Sequence, residues 1–267
     1  MDLGLRGKVA LVTAASKGLG RAAATALAAE GARVAICARG TAVEAAGREI
    51  QAAAAAAGFD GPVLALRGDV GLQADVDRVV AETLAAYGRI DILVLNSGGP
   101  PPGGFFDLKP QDWDTAVNLT LMSAVRLLYA VLPGMRERRE GSVVAMESVS
   151  VKQPIDRLIL SNSIRLAVIG LLKTLANELG GEGIRINSIN PTYTVTDRVA
   201  QLLDSRAKAH NSSPEAEAAA VAAHIPLGRL GTPEEFGRTV AWLASPAAGF
   251  IHGHALMFDG GETRAAL

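Results

Sequence analysis

Short apolar runs alternate along the whole chain with longer segments of helical periodicity. KVALVT (8–13), RVAICA (33–38), VLALRGD (63–69), DILVLN (91–96), SVVAME (142–147), IRINSIN (184–190) and ALMFD (255–259) read as strands. They are near-continuous apolar stretches, as expected of strands buried on both faces. Helical patterns lie between them: about Lys17 to Glu30, 41–57 ending at Gly58, a segment reaching Tyr87 before Gly88, about Asp112 to Leu132 stopped by Pro133, and one running to about Leu179. Repeated strand–helix alternation with short connections predicts a parallel sheet covered by helices on both faces. No linker-like stretch divides residues 1–267, so the chain reads as a single doubly wound α/β domain with a parallel, seven-stranded sheet.

Composition narrows this picture. The 267 residues carry a formal net charge of −1, without the basic excess of a nucleic-acid or anionic-membrane binder. No stretch approaches the ~20 uninterrupted apolar residues of a membrane span, and the N-terminus lacks a signal-peptide layout. Cys37 is the only cysteine, so no intrachain disulfide can form, and a cytoplasmic setting is expected. The Ala-rich runs at 52–57 and 215–223 read as helix surface. His210, His224, His252 and His254 lack metal-ligand spacing, and no metal is expected.

Chemistry is expected just beyond the carboxyl ends of the strands, where ligands bind in such sheets. TAASKGLG (13–20) joins the first strand to the first helix. Its glycines let the backbone approach a pyrophosphate, and the helix N-terminus supplies N–H groups. Asp69-Val70, Asn96-Ser97-Gly98-Gly99 and Phe258-Asp259-Gly260-Gly261 follow later strands. The chain resembles the short-chain dehydrogenase/reductase family, and within it the 3-oxoacyl-carrier-protein reductase-like branch. The resemblance rests on the TGxxxGxG-type turn, the Asp-Val after strand three, the NNAG-type segment NSGG and a WDxxxxxN-type segment from Trp113-Asp114 to Asn118. The PGxxxT-type loop PTYTVT (191–196) and the tail IHGHALMFDGG complete it. It implies a Rossmann-type fold with a nucleotide held by Thr13, Ala15, Ser16, Lys17, Gly18, Leu19, Gly20, Arg39, Asp69, Val70, Asn96, Ser97, Gly98, Arg165, Pro191, Thr192, Thr194 and Thr196. Ala14, in place of the first family glycine, reads as a mild departure that adds a methyl. At the end of strand two Ala38 stands where an acid would select NAD, and Arg39 follows it. With Lys17 in the turn, this favours NADP (NADPH).

By the same resemblance, catalysis needs an Asn, a Ser, a Tyr as general acid and a Lys that lowers the phenol pKa. Asn118 and Ser148 take the first two places. Counting from Ser148 and through Gly170 puts Ser161 at the Tyr position and Arg165 at the Lys position, one helical turn apart. A serine hydroxyl is shorter and far less acidic than a phenol, and a guanidinium presents a planar fork rather than a point charge. The proton donor is therefore non-standard. Tyr193, in the PTYTVT loop, is a displaced candidate. Glu147 is either a base or a solvated charge at the strand end, and Lys152 and Gln153 sit in the loop after Ser148. SGGPPPGG (97–104) reads as a rigid turn or a stiff pocket wall, and 196–225 occupies the family's substrate lid.

The expected function is an NADP-dependent oxidoreductase acting on a small-molecule carbonyl or hydroxy substrate. Acidic and thioester-linked compounds are both compatible, with Arg165 as the clamp for an acid. A dehydratase, isomerase, lyase or nucleotide-binding regulator on the same scaffold is the alternative. Family members pair two long helices per subunit, here about 112–132 and 157–180, so a homo-oligomer (dimer or tetramer) is expected.

Overall fold

The computed structural model describes residues 2–265. Seven strands form one sheet: β1 Val9–Thr13, β2 Arg33–Ala38, β3 Leu64–Arg67, β4 Ile92–Leu95, β5 Gly141–Met146, β6 Ile184–Pro191 and β7 Ala255–Phe258. The order is β3-β2-β1-β4-β5-β6-β7, and every neighbouring pair is parallel. Strand order reverses between β1 and β4, which opens a crevice above their carboxyl ends.

Successive side chains of a strand point to opposite layers, and β1 shows it: Ala10 and Val12 join one core, Leu11 the other. The first core packs against α1 (Gly18–Ala29), α2 (Ala42–Ala56) and α9 (Pro233–Ala244). The second packs against α3 (Gln73–Tyr87), α5 (Ser123–Arg138) and α6 (Ile159–Leu179). In chain order α4 (Pro110–Ala116) precedes α5, and α7 (Asp197–His210) and α8 (Pro214–Ala222) pack on each other after β6. The long helical stretches Pro110–Arg138 and Ile159–Glu182 are apolar enough to cross a membrane by composition. Their buried faces are instead packed on the sheet.

α9 starts with a reciprocal cap. The Glu235 N–H donates to Thr232 Oγ1 at 3.2 Å, and the Thr232 N–H donates to Glu235 Oε2 at 3.0 Å. Arg229 and that N–H hold the Glu235 carboxyl down at about 2. At the other end Arg185 of β6 donates to the carbonyls of Leu243, Ala244, Ser245 and Ala248, taking up groups that the helix terminus leaves unpaired. The helix meets α1 through Gly237, where a Cβ would lie 2.4 Å from the Ala22 carbonyl oxygen.

The stop expected at Pro133 is a point of correction, because helix continues to Arg138. Proline removes an N–H that would bond the carbonyl four residues back, here Tyr129. Pro133 and Tyr129 both face solvent, where water replaces that bond, while Val131, Leu132 and Met135 remain buried on the opposite face. The apolar stripe therefore carries the helix through. Its preceding segment, Val117–Met122, is a π-turn.

Ala14 is another. Its φ is +48°, a left-handed conformation that L-residues adopt at a penalty of about 1 kcal/mol or more. The departure from glycine is thus one of backbone strain as well as an added methyl. Ala14→Gly should stabilise the fold by roughly 0.5–1 kcal/mol, glycine's extra unfolded-state entropy offsetting part of the relief. Chemical denaturation checks this, and an unchanged or lower midpoint would contradict it.

Candidate active site

The glycine turn owes its shape to close approach. A Cβ on Gly20 would lie 2.6 Å from the Ala14 carbonyl oxygen and 2.8 Å from Asn96 Nδ2, so only glycine fits there. Thr13 Oγ1 donates to the Asn96 carbonyl at 2.7 Å and accepts from the Asn96 N–H at 3.0 Å, which locks the ends of β1 and β4 together. No side chain caps α1, leaving its first-turn N–H groups free for an anion. Lys17 and Arg39 are exposed, and neither has a salt-bridge partner among the described residues.

One cleft of about 500 Å³ runs from this turn to the start of α6. It gathers Lys17, Gly18, Leu19, Gly20, Asn96, Ser97 and Gly98 at one end, and Ser148, Ser161 and Arg165 at the other. Pro191, Thr192, Thr194 and Thr196 line its far wall. The turn, the uncapped helix and the unpaired cations fit a dinucleotide with a 2′-phosphate. Thr13 and Ala15 have no accessible surface, which corrects the expectation that they touch a cofactor: they support the turn. Ser16 is half-buried in the turn, outside the cleft lining. Past β3, Val70 is buried and the Asp69 carboxylate accepts the Gly71 N–H at 2.9 Å.

Two expected catalytic residues are absent from the cleft. Asn118 is exposed; its Nδ2 donates to the Gly71 carbonyl at 3.3 Å, and its Oδ1 accepts from Arg126 at 2.7 Å. Counting the WDxxxxxN spacing from Trp113 reaches position 120, so Asn118 falls two residues short. The residue at that position is Thr120, buried in the π-turn, with an Oγ1 that finds no hydrogen-bond partner. Tyr193 points into the α7–α8 hairpin, packed with Leu203, Val221 and Ile225 under the Arg206 guanidinium. Extended backbone alternates sides, so Thr192 and Thr194 face the cleft and Tyr193 turns away. Burial also raises its phenol pKa, against what a proton donor needs.

Sequence reasoning understated Glu147. It is not a solvated end-of-strand charge: its side chain is 6% exposed and lies 2.9 Å from Arg165 Nη1, itself on a side chain 11% exposed. Arg165 Nη1 also donates to the Met146 carbonyl at 3.3 Å. Burial raises the Glu147 pKa, and Arg165 opposes that rise. Beside the pair, Ser161 and Ser150 share a hydroxyl hydrogen bond of 3.3 Å, and the Ser150 N–H donates to Ser148 Oγ at 3.2 Å. Lys152 and Gln153 lie outside the cleft lining. Asp197, Arg198, Val199 and Gln201 of α7 also line the cleft. An Ala- and polar-rich stretch gave no apolar signal for that.

SGGPPPGG forms a braced wall. The Gly103 N–H donates to the Arg157 carbonyl at 2.6 Å, and the Ile159 N–H to the Gly103 carbonyl at 3.4 Å. Arg157 is held at φ +58° and pairs with Asp107 at 3.2 Å, while Asn162 bonds both the N–H and the carbonyl of Ile155. The Cys37 thiol is pushed up to about 12, mainly by burial, and is inert at neutral pH. Among the described residues no group of three or more His, Cys, Asp or Glu could hold a metal.

The comparisons with known proteins agree with this geometry. The family model described as enoyl-(acyl carrier protein) reductase matches residues 13–263. D-threitol dehydrogenase of Mycolicibacterium smegmatis is 35% identical over 98% of this chain and 95% of its own length. The 3-oxoacyl-[acyl-carrier-protein] reductase of Escherichia coli is 33% identical over 97% of this chain and 98% of its own. L-sorbose reductase from Gluconobacter frateurii, solved with NADPH and L-sorbose, has a TM-score of 0.92 at 31% identity and covers 99% of this chain and 100% of its own. The chain belongs to the short-chain dehydrogenase/reductase family.

Proposed function

We propose that this protein is an NADP-dependent oxidoreductase that interconverts a carbonyl and an alcohol on a small, uncharged substrate. The observation that carries the reading is the single cleft joining the glycine turn and Lys17 to Ser148, Ser161 and Arg165. Lys17 and Arg39 would hold the 2′-phosphate, the turn and the α1 N-terminus the pyrophosphate, and Arg165 the ribose side of the nicotinamide. A nicotinamide bound there would supply or accept the hydride. Ser148 and Ser161 orient the substrate oxygen through their hydroxyls, and α7 and α8 form the lid (196–225) that excludes water. D-Threitol dehydrogenase and L-sorbose reductase are named for neutral polyhydroxy compounds. A neutral substrate fits here because Glu147 pairs with Arg165, which argues against Arg165 as a clamp for an acid.

A cytoplasmic homo-oligomer is part of the same reading. Tyr129 of α5 and Leu166 of α6 are 79% and 53% exposed on the two long helices, as a face awaiting a second copy would be.

The test is twofold. NADPH fluorescence and thermal shift should show tighter binding than NADH. NADPH should then be consumed with some member of a panel of ketones, diketones, keto-sugars and 3-oxoacyl thioesters. Binding without turnover of any of them would favour the dehydratase, isomerase, lyase or regulator alternative.

A further inference from the structure

The catalytic end of the cleft lacks an obvious proton donor. Ser161 is an alcohol, Arg165 presents a guanidinium with donors and no acceptor, and Tyr193 is turned away. The titratable groups lining the cleft are Lys17, Glu147, Arg165, Asp197 and Arg198. Lys17 lies in the glycine turn, and Asp197 and Arg198 open α7. Among the described residues this leaves Glu147 as the one cleft carboxyl adjoining Ser148.

The bonding of the pair leaves it equipped for the task. Only Oε2 of Glu147 is engaged, by Arg165 Nη1. Among the described residues Oε1 makes no hydrogen bond, and Glu147 lines the cleft. Arg165 also lines the cleft, and among the described residues its Nε and Nη2 make no hydrogen bond. The pair thus offers a free carboxylate oxygen and free N–H donors side by side.

We propose that Glu147 is the catalytic acid–base residue, a role that rests on the oxidoreductase reading above. In oxidation the substrate O–H bond breaks and its proton passes to Glu147 Oε1. The carbinol hydrogen would leave with its electron pair to a bound oxidised nicotinamide as the C=O bond forms. In reduction that hydride would return from the reduced nicotinamide to the carbon, and the Glu147 carboxyl would return the proton to the oxygen. Arg165 keeps the carboxyl in place and donates to the oxygen while it carries negative charge.

Burial supports the role by shifting the Glu147 titration upward from its ordinary 4.5, toward the range where an acid–base group works best. Arg165 of α6 is the charged group acting on it and limits the rise; Lys17, Asp197 and Arg198 are the other charges on the cleft.

Glu147→Gln keeps shape and can still accept from Arg165. Difference infrared titration of the apoprotein should show a protonated-carboxyl band that Glu147→Gln abolishes, with a midpoint above 4.5. With secondary alcohols, wild-type kcat should rise with pH through the same midpoint. Glu147→Gln should lower kcat by roughly 10²–10⁴-fold, with KM little changed and the pH dependence lost. If Glu147→Gln does not fold, Glu147→Gln/Arg165→Met removes both charges and is expected to lose the same activity. A midpoint at or below the ordinary value, or kcat within about threefold of wild type with its pH profile intact, overturns the proposal. NADPH binding separates the two readings: a wild type that fails to bind NADPH sinks the oxidoreductase reading, whereas the infrared midpoint judges Glu147 without cofactor or substrate.

Discussion

Lys17→Ala/Arg39→Ala weakens NADPH binding by about 10²-fold and leaves NADH binding nearly unchanged. Each cation would make a charge-assisted contact to the 2′-phosphate, worth about 1.5 kcal/mol at the exposed end of its range. Two such contacts amount to about 3 kcal/mol, or roughly two powers of ten. NADH lacks the phosphate and has nothing to lose. Both side chains are exposed and without ionic partners among the described residues, so their removal breaks no internal pair. NADPH affinity should also fall with ionic strength more steeply in wild type than in the double variant. Fluorescence titration with both cofactors checks the result. Equal losses for NADPH and NADH would mean that the cations do not read the 2′-phosphate.

Arg165→Leu produces the largest loss of stability. It strands the Glu147 carboxyl in a site where its side chain is 6% exposed, and breaking a buried pair typically costs about 3–5 kcal/mol. For a chain of this size that is a fall in Tm on the order of 10 °C. The pH dependence has a definite sign. With Arg165 gone, burial alone acts on Glu147, and its folded pKa rises above the unfolded value. Such a group leaves the fold intact below the unfolded pKa and withdraws stability as pH climbs through the folded one. Arg165→Leu should therefore be close to wild type in acid and worst in alkali. Glu147→Leu/Arg165→Leu should recover much of the loss, because neither charge is then left alone. Thermal melts across pH measure this, and a deficit that is flat in pH would show that Glu147 is not the stranded group.

The strands were legible because both of their faces are covered: the residues of β1 and β4 are all buried, and such runs leave a continuous apolar signature. In the 196–225 region α7 was not, while α8 was legible only as the Ala-rich run 215–223. α8 is Ala-rich with apolar and polar positions unsorted by face, so its helicity comes from local propensity rather than periodicity. α9 is signalled instead by Thr232-Pro233-Glu234-Glu235, a capping box that a search for apolar runs passes over. Ser148, Ser161 and Arg165 could be counted from one another because strand and helix keep their spacing. Asn118 was misplaced because the WDxxxxxN spacing counted from Trp113 reaches Thr120, two residues further on. The closed state of Glu147 was hidden for a different reason. Its partner lies eighteen residues along the chain, and only the fold brings the two charges together.

The bridge between Gly103 and Leu158 has a consequence for traffic through the cleft. It stitches the glycine–proline wall to the turn that launches α6, so the wall and the helix carrying Ser161 and Arg165 behave as one jamb. On the lid reading proposed above, opening would fall to α7 and α8 on the opposite side. Backbone amides at Gly103 and Ile159 should exchange slowly whether or not cofactor is bound, while protection gained on binding concentrates in 196–225.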